Sequence, residues 1–221
     1  MAKLVSSFKN MALSLTCIAL VAAGALAGVY ILTKAPIEAA MKAKQEAAIM
    51  QVLPQVEGLQ VADAETVEGV TLYKAYVGEE WVGTAVEAST EGNENMPFGG
   101  TFRLMVGFDK VGNVVNYVVL EQAETPGLGA LMTTWFKNAD KPGQNILGKN
   151  PATTEFGVSK DGGDVDAITA STITSRAFLE VVVKAYNAIA HQDVEAVSSA
   201  TQLGESGDEA TSELEEEGGQ Q

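Results

Sequence analysis

The chain has 221 residues, 46% of them apolar but only 6% aromatic, and a formal charge of −15. That length holds one domain of ordinary size plus extensions. The acidic balance, with no cluster of Lys or Arg, excludes nucleic acid as a partner, because phosphate contacts need such clusters. A single cysteine, Cys17, and a single histidine, His191, exclude an intrachain disulfide and give no His/Cys set for a metal ion.

Residues 1–10 carry Lys3 and Lys9 and no acid, and residues 11–33 follow as an uncharged apolar stretch. At 1.5 Å rise per residue that stretch is long enough to span a bilayer, so it predicts a single transmembrane anchor in contact with lipid. Cys17 reads as an ordinary residue of that helix, since the residues before it do not form a lipoprotein signal. The two preceding lysines place residues 1–10 on the cytoplasmic side and the bulk of the chain outside it. A cleaved signal peptide is the competing reading, with small residues from Ala22 to Ala27, but the apolar run continues past them. Either reading exports the remainder.

Residues 34–54 are rich in helix formers and predict a juxtamembrane helix, with Ile37, Met41, Ala48 and Val52 on one face and Pro54 as its stop. A folded domain is expected over residues 55–202. Residues 70–77 and 81–88 read as strands joined at Gly78-Glu79-Glu80, and residues 101–108 and 114–120 as a second hairpin about Asp109 to Asn113. A polar loop, residues 89–100, separates the two hairpins. A short helix is expected over residues 131–138, a loop over 140–150 and one more strand near 154–159. Then Leu179, Val182, Val183, Tyr186 and Ala190 recur at helical spacing and predict a core-facing helix over residues 177–190, with His191 at its end. Residues 203–221 are acidic and glycine-rich and predict a disordered tail. The fold class is therefore α+β: one N-terminal transmembrane helix, then a domain of antiparallel sheet and helices.

Two motifs carry the chemistry. Asp166-Ala167-Ile168-Thr169-Ala170-Ser171-Thr172-Ile173-Thr174-Ser175 places five hydroxyls just before the last helix. A helix start leaves N–H groups unpaired and carries partial positive charge, so it suits a phosphate. Asp166 or Thr169 acting simply as a helix cap is the plainer reading. Upstream, Glu124-Thr125-Pro126-Gly127-Leu128-Gly129 is a turn poor in side chains. A third element is Met96-Pro97-Phe98-Gly99-Gly100.

Together these segments resemble the FMN-binding domain family of membrane electron-transfer complexes. The family carries a stretch of the form D-x-x-S/T-G-A-T-x-T-S, and its Glu-Thr-Pro-Gly-Leu-Gly is matched at all six positions. The resemblance implies a domain with a bent antiparallel sheet and an FMN joined to Thr172 by a phosphoester bond, attached by a separate flavin transferase. It also implies that Asp166, Thr169, Ala170, Ser171, Thr174 and Ser175 surround the attachment point. Glu124, Thr125, Gly127, Leu128 and Gly129 would line the flavin ring. Phe98 would neighbour the ring or serve as a core aromatic. Two positions depart from the motif: Ala170 stands for Gly, and Ser171 for Ala. The first departure matters if position 170 needs a positive φ. Ser171 and Thr174 remain alternative attachment points.

Within the family, the short spacing between anchor and motifs is nearer to the Rnf-type complexes, which translocate ions while linking ferredoxin and NAD. The sodium-pumping NADH:quinone reductase, one of whose subunits shares this domain and its threonine-linked FMN, is the alternative. On this reading the chain is an electron carrier, with no catalytic residue of its own and no metal site. Its partners would be the other membrane, iron–sulfur and flavin subunits. An exported interaction domain without flavin and a stand-alone extracellular flavoprotein are the remaining readings.

Overall fold

A computed structural model describes residues 8–67 and 69–190; His191 and the acidic tail lie outside the described residues. Two compact units divide between Lys44 and Gln45. The described residues of the first, 8–44, are helical. Its helix, α1, runs Phe8–Val52 and includes Pro36, so the segments expected as separate anchor and juxtamembrane helices are one element. Apolar side chains such as Leu13, Ile18 and Leu26 are exposed along it. Among the described residues it is the one helix long and apolar enough to cross a membrane.

The second unit begins with the last turns of α1. Its six strands are β1 (Leu59–Val61), β2 (Glu65–Val67), β3 (Val70–Val77), β4 (Glu80–Ser89), β5 (Arg103–Asp109) and β6 (Val114–Glu121). They form one antiparallel sheet in the order β1-β3-β4-β5-β6, with β2 also on β3. The β3–β4 and β5–β6 hairpins fall where alternation and turn residues predict them. Asp109 closes the second turn by accepting the N–H groups of Val111 and Asn113 on Oδ1 at 2.8 and 2.9 Å. Three register shifts, at Ala75/Tyr76, Arg103/Leu104 and Gly107/Phe108, bend the sheet.

Both faces of the sheet are covered. Helix α3 (Thr172–Ala190) packs on one, where Phe178, Val182 and Ala185 meet Val86, Leu104, Val106, Phe108 and Tyr117. The end of α1 covers the other, with Ala48, Ile49, Val52 and Leu53 against Ala75, Ala85 and Met105. Gly107 permits that second contact. A Cβ there would overlap the Val52 carbonyl.

Further expectations change. No strand forms over residues 154–159; Val158 makes only an isolated parallel bridge to Val165. The reason is the turn that follows, where Gly163 packs against the Gly157 backbone too closely for any side chain. Strands β1 and β2 are unexpected, being only three residues each, too short for alternation to mark them. The helix expected over residues 131–138 contracts to a 3₁₀ turn, Gly129–Leu131, and one α-helical turn, α2 (Met132–Trp135). Finally, α3 starts at Thr172 rather than at residue 177, taking three of the hydroxyls into the helix.

Candidate functional site

The site is organised by one buried carboxylate. Glu124 follows β6 and is 7% exposed. Its Oε1 accepts the Gly99 N–H at 2.7 Å, and its Oε2 accepts the Thr174 hydroxyl at 3.1 Å. Gly129 lies against the same carboxylate, so that a Cβ at 129 would strike Oε2. Glu124 thus ties the 96–100 loop, its own Thr-Pro-Gly-Leu-Gly turn and the first turn of α3 into one cluster. In that turn the Thr125 carbonyl accepts the N–H groups of Leu128 and Ala130 at 3.1 and 3.3 Å. Gly127, at φ +78°, makes the reversal possible.

The five hydroxyls separate by environment. Ser175 is fully buried; its hydroxyl donates to the Ser171 carbonyl and accepts the Ile168 N–H, both at 2.9 Å. Thr174 is 1% exposed and committed to Glu124, and Ser171 is also buried. The Thr174 hydroxyl is therefore engaged by Glu124, and Ser171 is less exposed than Thr169 or Thr172. Thr169 is exposed on the turn before the helix, and Thr172, the first residue of α3, is half-buried. The helix cap is neither Asp166 nor Thr169. The Ser171 carbonyl accepts the Ser175 N–H at 3.0 Å, which puts Ser171 at the capping position.

Asp166 is tied away from the helix start. Its N–H donates to the Gly143 carbonyl at 2.6 Å, its Oδ1 accepts the Ser159 hydroxyl at 3.2 Å, and its carbonyl accepts the Trp135 indole N–H at 2.9 Å. Ala170 has φ +60° and is the one non-glycine residue at positive φ among the described residues. The motif position that departs from glycine is thus one that needs a left-handed backbone.

Phe98 is 84% exposed, which removes the core-aromatic reading. Leu128 is 39% exposed. The two loops joined at Glu124 therefore present apolar side chains to solvent next to a helix start that has an accessible hydroxyl. That set fits a flavin phosphate: unpaired N–H groups and a hydroxyl for the phosphate, and apolar side chains for a ring.

Sequence reasoning missed several supports. Arg176 makes a two-pronged ion pair with Asp161, Nε to Oδ2 at 2.6 Å and Nη2 to Oδ1 at 2.7 Å. These bonds hold the guanidinium charged, raising its pKa further, and tie the chain before the hydroxyl segment to α3. Beneath the site, Tyr117 donates to the Met132 carbonyl at 2.7 Å, and Lys137 sits 4.2 Å from the Tyr117 ring centroid. Burial pushes the Tyr117 phenol up and the Lys137 ammonium down. None of these pairings has a sequence spacing that signals it.

An accessible hydroxyl at a helix start, exposed apolar side chains on two neighbouring loops and an antiparallel sheet are what an FMN-binding domain requires, and the family model described as FMN-binding domain matches residues 98–187. The model for the RnfG N-terminal region matches residues 1–52, ending at the last residue of α1. The similar proteins are named as the G subunit of the ion-translocating oxidoreductase complex. The one from Escherichia coli K12 is 34% identical over 73% of this chain and 81% of its own length. That of Haemophilus influenzae PittEE is 32% identical over 68% and 75%. An archaeal one, from Methanosarcina acetivorans, is 29% identical over 81% and 93%. The chain belongs to this family, the G subunits of ion-translocating oxidoreductase complexes.

Proposed function

We propose that this protein is an electron-transfer subunit of a membrane-bound, ion-translocating oxidoreductase complex of the Rnf type, and that it holds FMN through a phosphoester bond to Thr172. The flavin, when bound, supplies a ring that takes up and releases electrons, while the protein sets its position and surroundings. The observation that carries the attachment point is the sorting of the hydroxyls. Ser171, Thr174 and Ser175 are buried, which leaves Thr169 and Thr172, and of these two Thr172 alone stands in the first turn of the 19-residue helix.

The roles follow from position. Thr172 Oγ1 forms the ester, with FMN delivered from FAD by a separate flavin transferase as AMP and the hydroxyl proton leave. The unpaired N–H groups at the start of α3 hold the phosphate charge. Leu128 and Phe98 would pack against the ring, Thr125 would offer a hydroxyl to it, and Gly127 and Gly129 would let the backbone approach. Glu124 holds these three segments in register. The remaining subunits of the complex are the electron partners, α1 contacts lipid, and the domain stands on the extracytoplasmic side, as Lys3 and Lys9 ahead of the span support.

The test is the peptide map of protein isolated from its own membrane, beside a Thr172→Ala variant. One FMN phosphoester on the peptide containing Thr172, absent in the variant, is the expected result. Full flavin fluorescence retained by Thr172→Ala would sink the assignment.

A further inference from the structure

Thr172, Arg176, Glu180 and Lys184 recur every fourth residue along α3 and are all partly exposed, so they form one row on the helix. Each member below Thr172 holds a distant segment. Arg176 holds Asp161. Glu180 Oε1 accepts the Glu94 N–H at 2.9 Å, and its Oε2 accepts the Asn95 N–H at 3.4 Å and the Asn95 side-chain amide at 3.2 Å. Lys184 donates to the carbonyls of Ser89 and Glu91 at 3.4 and 2.8 Å. The 89–95 stretch is thus laid along the helix that begins at Thr172.

Phe98 lies just beyond that stretch. At 84% exposure it is not held by packing of its own side chain. Its backbone is held from both ends, by Glu180 at residues 94 and 95 and by Glu124 at Gly99. Only Met96 and Pro97 intervene before it, and Pro97 is buried with its φ fixed by the ring. Glu124 is itself bonded to Thr174. Both restraints on Phe98 therefore refer to α3. Glu180 is eight positions after Thr172, or about 12 Å along the axis.

We infer that Glu180 is a positioning residue for the flavin site: through residues 94 and 95 it sets where Phe98 stands relative to Thr172. The inference rests on the assignment of Thr172 and Phe98 made above. A group tethered at Thr172 is fixed at its phosphate end only, and the helix that carries the tether also carries the clamp for the loop of Phe98. Glu180 lies eight residues beyond the attachment point and touches no member of the hydroxyl motif, so a role in attachment is not required of it.

The experiment uses full-length protein in its membrane, as wild type, Glu180→Ala and Glu180→Gln. Three quantities are read: flavin mass on the Thr172 peptide, hydrogen exchange at Glu94 and Asn95 in flavin-free protein, and the midpoint potential of the bound flavin. In Glu180→Ala the flavin mass is expected to match wild type. Exchange at both amides should rise at least tenfold. The potential should move by about 30 mV, a tenfold change in relative affinity for the two redox forms of a two-electron couple. Glu180→Gln keeps one acceptor oxygen and should show the same changes at Asn95 with a smaller shift in potential. Wild type carrying flavin while Glu180→Ala leaves the potential unmoved overturns this inference alone; wild type without flavin at Thr172 overturns the attachment as well. If Glu180→Ala does not fold, an unchanged Asn95 exchange and potential in Glu180→Gln overturns it.

Discussion

Ala170→Gly should make this protein more stable. Ala170 sits at φ +60°, where an L side chain crowds the following carbonyl. The left-handed region costs a non-glycine residue roughly 1–2 kcal/mol. Glycine removes that cost but brings about 0.5–1 kcal/mol of extra chain entropy to the unfolded state. Ala170 is exposed, so its methyl group contributes no packing to offset the gain. The net expectation is a stabilisation of up to about 1.5 kcal/mol, centred near 0.75 kcal/mol. For a domain of this size the central value is a rise of about 2–3 °C in Tm. The assay is thermal unfolding of the full chain in detergent, followed by tryptophan emission. Trp135 is a suitable reporter because its indole bonds the Asp166 carbonyl, four residues before the substituted position. Ala170→Val should move the other way, since a β-branched residue is worse at positive φ. A lower Tm for Ala170→Gly, or equal Tm values for the glycine and valine variants, would refute the left-handed turn and the strain argued from it.

Three further outcomes follow from the packing. Glu124→Ala leaves the Gly99 N–H and the Thr174 hydroxyl without their acceptor, at a cost of about 2–4 kcal/mol in urea unfolding. Glu124→Gln keeps one acceptor oxygen, and Thr174 can turn its O–H to accept from the new amide, so a loss of about 1 kcal/mol or less is expected. Gly107→Ala drives a methyl group into the Val52 carbonyl and should destabilise by about 1–3 kcal/mol, read as a lower urea midpoint; an unchanged midpoint would mean that the end of α1 does not lie on β5. Alkaline pH tests Tyr117. Burial raises its folded pKa above the unfolded value near 10, so the stabilisation is fully present below about pH 10 and is lost as pH rises from there. Tyr117→Phe should flatten the fall in stability above pH 10, and an unaltered slope in that variant would assign the fall to other groups.

Local signals were legible where one element decides them. The hairpins of β3–β4 and β5–β6 follow from alternation and from turn residues such as Asp109, whose side chain closes its own turn. Likewise Leu179, Val182, Val183 and Tyr186 of α3 are buried as their spacing predicts. What the sequence hid is long-range. Glu124 was legible as a member of a turn, but its partners are 25 and 50 positions away in opposite directions, and no spacing rule joins them. The two-pronged Arg176–Asp161 pair and the clamp made by Glu180 are hidden for the same reason. Phe98 shows a different failure. An aromatic residue beside two glycines is compatible with a core or a surface, and only the path of the loop decides. The strand expected over residues 154–159 had suitable composition, but the close approach of Gly163 to Gly157 turns the segment into a tight loop.

The end of α1 is made early and finds its place late. Val52 precedes Gly107 by 55 positions, and at 5–20 residues per second the ribosome takes about 3–11 s to supply that stretch. Until β5 exists, Ala48, Ile49, Val52 and Leu53 lack Met105 as a partner. The apolar face of the helix end, of whose buried partners only Ala75 and Ala85 are made before Met105, is therefore incompletely covered for seconds during synthesis. This is a natural point for a chaperone to act, and a mutation that slows the β4–β5 pairing lengthens that exposure even if the finished fold is as stable as before.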